Sequence, residues 1–232
     1  MRVFCVFILA CAGAFTPAAG QRAYHATWAD GVSLGAASVL TVLPEALRLP
    51  KGAPDCAPCD PATLWGLDRR ALGARSAAAG TASDAGALGV LGLGGLALVW
   101  HRRPSDARGD AMAYADAVGW SAVAVQWLKV TIGRERPVMY TSGAVAAAAD
   151  ADNQRSFPSS HATVAFSAAT AYLVISGREH LAHRTRTALL LYGGALATGV
   201  LRVEAGQHFP TDVLAGAALG SGLGWLAATL HR

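Results

Sequence analysis

Arg202-Val-Glu-Ala-Gly-Gln-His208-Phe-Pro-Thr-Asp212 lies between two apolar segments, 187–201 and 213–230, and reads as the polar hinge between two helices. His208 and Asp212 are four residues apart, which on a helix puts both side chains on one face. A carboxylate against one imidazole nitrogen fixes the tautomer and leaves the other nitrogen free to attack, as nucleophilic catalysis requires. Arg202 adds a planar, permanently charged fork suited to phosphate. Taken alone, the stretch reads more readily as an interhelical loop with one capping aspartate.

Two further stretches change that balance. Lys129-Val-Thr-Ile-Gly-Arg-Glu-Arg136-Pro137 stands at the polar end of the apolar run 111–128, and Ser156-Phe-Pro-Ser-Ser-His161 opens the run 162–177. Ser159 or Ser160 before a helix is a natural N-cap, and the free amides there form an anion site. His161 at that start can give a proton to something bound. The three helix ends together carry cations for equatorial oxygens, a nucleophile and an acid for the leaving group. That is the inventory of a phosphoryl-transfer site working through a phosphohistidine. Arg134, Glu135 and Glu204 lie beside these positions and read as solvated flanks.

The three stretches resemble the type 2 phosphatidic acid phosphatase and vanadium haloperoxidase superfamily, in its membrane lipid phosphatase branch. Its signature runs Lys-x6-Arg-Pro, then Pro-Ser-Gly-His, then Ser-Arg-x5-His-x3-Asp. Here it stands as Lys129-x6-Arg136-Pro137, Pro158-Ser159-Ser160-His161 and Leu201-Arg202-x5-His208-x3-Asp212, in order and in spacing. The resemblance covers roughly residues 111–230 and departs at two positions, Ser160 for Gly and Leu201 for Ser. A side chain at Ser160 narrows a turn where close backbone approach to phosphate is usual. The resemblance implies that His208 attacks phosphorus, Asp212 orients it, and His161 protonates the leaving oxygen and then activates water. It implies that Lys129, Arg136, Ser159, Ser160 and Arg202 hold the phosphate. No metal or other cofactor is called for, because the three cations supply the charge that Mg²⁺ supplies elsewhere.

Composition agrees with an apolar body. Of 232 residues, 53% are hydrophobic and only 15% charged, below the ~25% of an ordinary soluble domain. The net charge of +4 comes without a Lys/Arg block or aromatic-basic interleaving, so nucleic acid is excluded as a partner and no protein partner is indicated. Residues 1–20 have one positive charge, a short apolar core and small residues, and read as a secretory signal cleaved after Gly20, or as an uncleaved signal anchor. Cys56 and Cys59, in a polar Pro-rich stretch of an exported chain, read as a local disulfide rather than a redox or zinc site.

Residues 21–84 read as an accessory cap. Within them 31–43 is apolar but only thirteen residues long before Pro44, short of a span, and a short helix is expected over 61–72. Residues 85–232 form the core, with five apolar runs at 85–100, 111–128, 162–177, 187–201 and 213–230. These predict an all-α helical bundle of the type 2 phosphatidic acid phosphatase kind with about five transmembrane helices; a soluble periplasmic bundle is the alternative. His101, Arg102, Arg103, Arg108, Arg178, Arg184, Arg186, His231 and Arg232 fall in alternate joints. The positive-inside rule then puts all three motifs on the outer, periplasmic face of a bacterial-type inner membrane. Five spans with a cleaved signal start residue 21 on that face; a sixth span would need an uncleaved first segment or another parity. The expected partners are membrane lipids and a phosphorylated lipid, either a monoester or a diphosphate. A lipid-phosphate-binding protein without catalysis and a vanadium-dependent haloperoxidase are the rival readings.

Overall fold

The computed structural model describes residues 24–100 and 104–231, and regular structure among them is helical throughout. The long helices are α1 (Trp28–Ala46), α3 (Ala77–Val99), α4 (Pro104–Ile132), α6 (Ser160–Arg178), α7 (Arg184–Glu204) and α8 (Pro210–Leu230). Two single turns, α2 (Gly66–Arg69) and α5 (Ala144–Ala147), interrupt the loops. The proposed signal segment 1–20, the basic triplet 101–103 and Arg232 lie outside the described residues.

The five apolar runs appear as α3, α4, α6, α7 and α8, and α1 is a sixth long helix that the apolar pattern of 31–43 understates. Thr27 N donates to Asp30 Oδ2 at 2.6 Å and starts α1 before the apolar run begins. Pro44 does not end it. The N–H that proline lacks would have served Leu40 O, and the Trp127 indole donates to that carbonyl at 3.1 Å instead. The short helix expected over 61–72 is a 3-10 turn, Pro61–Thr63, followed by α2. The cap–core boundary expected after residue 84 falls inside α3, which starts at Ala77 with Ser76 Oγ accepting from Ala79 N at 3.1 Å. Thr81, Ser83 and Asp84 break the apolar pattern without breaking the helix.

α6 is the centre of the bundle, with α3, α4, α7 and α8 packed around it. Ala162, Ala165, Ala168, Ala169 and Ala171 are fully buried along it. The closest approach is to α8, where Gly216, Gly220 and Gly224 recur every fourth residue and so share one face. A Cβ at Gly220 would stand 2.0 Å from Thr163 O, and one at Gly216 would stand 2.6 Å from Ser159 O. Backbone therefore meets backbone, the packing that small residues allow between apolar helices. Hydroxyls buried in this core satisfy each other, as Ser121 Oγ does with Ser167 Oγ at 2.8 Å.

The C-terminal ends of α1, α4 and α7 and the N-terminal ends of α3, α6 and α8 gather at one end of the bundle. Ser159 N donates to Asp212 O at 3.0 Å, and Ser76 N to Glu204 O at 3.0 Å. The 48–75 segment lies at the same end, held by Cys59 N to Met139 O at 2.8 Å and Gln154 Nε2 to Gly52 O at 3.2 Å. Cys56 and Cys59 are joined in a disulfide within it. At the opposite end Tyr24 OH donates to Ala228 O at 2.8 Å, and His231 sits between Asp30 and Asp116 at 3.8 and 3.7 Å. The described chain thus enters opposite the end where the motifs lie. α1 thus adds a sixth long helix to the five expected, and among the described residues two helices, α3 and α8, are long and apolar enough to cross a membrane.

The glycine seam gives a direct test. Gly220→Val should destabilise the fold by at least the ~1–3 kcal/mol of ordinary overpacking, since backbone cannot move aside as a side chain can. Gly222→Ala, where a Cβ meets nothing within 4 Å, should leave the melting temperature unchanged or raise it. Thermal unfolding of the two variants in detergent compares them.

Candidate active site

A cavity of about 190 Å³ opens at the gathered end and is lined by Lys129, Arg136, Asp152, Arg155, Ser160, His161, Arg202 and His208, with Glu45 and Gln126. Two glycines turn the chain back toward it. Gly133 ends α4 with φ of 62°, and its N–H donates to Lys129 O at 3.1 Å, so the chain reverses and carries Arg136 back to the cavity. Gly206 reverses the chain after α7 with φ of 67°, so that His208 reaches the cavity, and a Cβ there would stand 2.0 Å from Ala74 O.

Each cation is anchored. Lys129 Nζ donates to Arg155 O at 2.7 Å. Arg136 donates through Nε to Asp152 O at 2.9 Å, pairs through Nη2 with Asp152 Oδ2 at 2.6 Å, and donates through Nη1 to Gln207 Oε1. Arg155 Nη2 lies 3.2 Å from the other Asp152 oxygen. Burial pushes the Asp152 carboxyl upward, but Arg136, Arg155 and Lys129 together hold it below the usual carboxylate range. Asp84, in the second turn of α3, serves the other wall: its Oδ1 lies 2.8 Å from His161 Nε2 and 3.2 Å from Arg202 Nη1.

His208 is 1% exposed, with Nδ1 at 3.5 Å from Asp212 Oδ2 and no hydrogen-bond partner. Asp212 is itself fully engaged. Its Oδ2 accepts from Ser156 Oγ at 2.6 Å and from Phe209 N at 2.8 Å, and its Oδ1 accepts from Arg134 Nη1. Burial first, then the charges of Lys129, Arg136 and Arg202, holds the His208 imidazole well below its ordinary pKa. It is therefore neutral at physiological pH, with a lone pair available for attack.

The structure brings Lys129, Arg136, Ser160, His161, Arg202 and His208 around one cavity, as the three motifs require. Ser159 and Asp212 do not line it. Ser159 is the N-cap of α6, its Oγ accepting from Ala162 N, and Asp212 stands behind His208. Two expected flanks are otherwise placed. Arg134 pairs with both Asp68 and Asp212, and Glu135 is buried and accepts from Asp55 N at 3.2 Å, because the reversal at Gly133 turns both into the loop layer. Glu204 is exposed, as a solvated flank should be. Asp84, Asp152, Arg155 and Gln207 went unread in the sequence. Asp84 was a lone charge beside an apolar run, and Asp152 and Arg155 sat in an Ala-rich linker without periodicity.

A family model described as the PAP2 superfamily matches residues 110–232, and the chain belongs to that superfamily. Its members are generally phosphatases, which agrees with a cation-lined cavity holding two histidines. No curated protein and no solved structure matches the chain.

The buried neutral imidazole leaves a mark on stability. The unfolded chain protonates His208 below about pH 6.5 while the fold refuses that proton, so the unfolded state binds more protons there. Stability is then complete above that pH and falls as the pH drops below it. Between pH 7 and 5.5 the wild type should lose up to ~1.4 kcal/mol per pH unit that His208→Gln does not lose. Thermal melts across that range measure the difference, and equal slopes would show that His208 is not held neutral.

Proposed function

We propose that the protein hydrolyses a phosphate ester or diphosphate of a lipid through a phosphohistidine, without a metal. The observation that carries this reading is a buried His208 lining the same small cavity as His161 and the three cations Lys129, Arg136 and Arg202. The substrate phosphate takes the place among the cations. His208 Nε2 attacks phosphorus while Nδ1 faces Asp212; an N–P bond forms as the bond to the leaving oxygen breaks, and His161 gives that oxygen its proton. Asp212 stabilises the imidazolium character that develops. In the second step His161 takes a proton from water, the resulting hydroxide attacks phosphorus, and the N–P bond breaks to release phosphate. Lys129, Arg136 and Arg202 balance the charge on the equatorial oxygens throughout.

A lipid substrate is supported by the outside of the bundle. Among the described residues α3 and α8 are long and apolar enough to cross a membrane. Leu88, Leu93 and Leu96 on α3, Leu189, Leu190 and Leu196 on α7, and Leu214 and Leu226 on α8 are all exposed. So broad an apolar exterior suits acyl chains better than water. Arg178, Arg184 and Arg186 lie at or beside the joint of α6 and α7, at the end opposite the cavity, which under the positive-inside rule supports a cavity on the periplasmic side of an inner membrane. Tyr24 shares that inner end, which favours an uncleaved first segment over cleavage after Gly20.

Phosphate release from phosphatidate and from an isoprenyl diphosphate, each in excess EDTA, tests the reaction. Release should persist in EDTA, fall roughly a thousandfold or more in His208→Ala, and survive in Cys56→Ser. Turnover at the wild-type rate in His208→Ala would overturn the mechanism.

A further inference from the structure

We infer that Asp68 and Arg134 form a clamp that sets Asp212 behind His208, making both of them positioning residues for the reaction proposed above, on which this inference rests. Asp68 belongs to α2, far from every motif in sequence, yet it is 2% exposed and its side chain bonds to Thr211 and Arg134. Its Oδ1 accepts from Thr211 N at 3.0 Å, and its Oδ2 accepts from Thr211 Oγ1 at 2.6 Å and from Arg134 Nη2 at 2.8 Å. Arg134 spans the gap to the catalytic helix end: Nη1 donates to Thr211 Oγ1 at 2.8 Å and to Asp212 Oδ1. Its guanidinium lies 4.4 Å over the Phe209 ring. The clamp therefore holds three of the four residues that follow His208.

The chemistry needs such a clamp. Asp212 is fully buried, and a carboxylate in that setting without a cation is costly and readily takes up a proton. A protonated Asp212 could not stabilise the positive imidazole formed when His208 bonds to phosphorus. Arg134 supplies the balancing charge from the side away from the cavity. It occupies Oδ1 and so leaves Oδ2 turned to His208 Nδ1. The planar fork matters, since one guanidinium reaches Asp68 and Asp212 at once, which an ammonium on a single point cannot do. Neither Arg134 nor Asp68 lines the cavity, so the clamp acts on the chemical step and not on substrate binding.

The test is a double-mutant cycle on the full-length protein in detergent, with kcat and KM measured for phosphate release from phosphatidate in mixed micelles. Arg134→Gln should lower kcat roughly ten- to a hundredfold with KM within about twofold, the loss expected for a charge-assisted hydrogen bond. Asp68→Asn should move kcat in the same direction by less. Adding Arg134→Gln to Asp212→Asn should slow the enzyme by no more than about twofold further, because Arg134 acts through Asp212. Unchanged kcat in Arg134→Gln, a change confined to KM, or losses that multiply in the double variant would each overturn the clamp. If Arg134→Gln proves too unstable to assay, Asp68→Asn with Asp212→Asn completes the same cycle. Turnover in His208→Ala would instead reject the phosphohistidine reading itself, whatever the cycle shows.

Discussion

The approach of α8 to α6, backbone against backbone, is the constraint on which the rest depends. Gly216, Gly220 and Gly224 leave no side chain between the two helices, and the contact continues to the site as Ser159 N donating to Asp212 O. That register sets the N-terminal turn of α6, with Ser160 and His161, beside the turn that carries His208. Glycine inside a helix costs up to ~1 kcal/mol relative to alanine, and three on one face would weaken an isolated helix. The close packing they permit offsets that cost and brings His161, in the first turn of α6, and His208, in the turn before α8, to one cavity.

Charge placement follows helix ends. Lys129 and Arg202 sit in the last turns of α4 and α7, where the helix dipole favours cations, and Ser160 and His161 of the first turn of α6 line the same space. Gathering like charges in a half-buried pocket would be unfavourable without counter-ions, and Asp152 and Asp84 provide them. The same cations, with burial, keep His208 unprotonated. The phosphate recognition and nucleophile activation proposed for this site would thus have a common electrostatic origin.

The loop layer is a structural part of the site rather than a cover laid over it. Asp68 in α2 reaches Thr211, Arg134 after α4 reaches Asp212, and Asp55 N reaches the buried Glu135. The cap–core division expected from composition therefore dissolves at the place where chemistry is proposed. Segments separated by polarity in the sequence are joined by hydrogen bonds in the fold.

Read as sequence, the chain already discloses its helical class, the hinges at 129–137, 156–161 and 202–212, and the residues that meet at them. These signals are local: apolar runs have helical length, and His208 and Asp212 lie four residues apart, a spacing that brings them together although His208 stands in the turn before α8. Tertiary structure decided what local pattern does not encode. Pro44 continues α1 only because Trp127 serves the carbonyl that proline leaves open. Ser160 faces the cavity while Ser159 caps, a choice between adjacent hydroxyls made by the packing of α6 on α8. Asp84 and Arg134 acquire their partners across 118 and 78 residues, through contacts that form only when segments far apart in the chain are brought together.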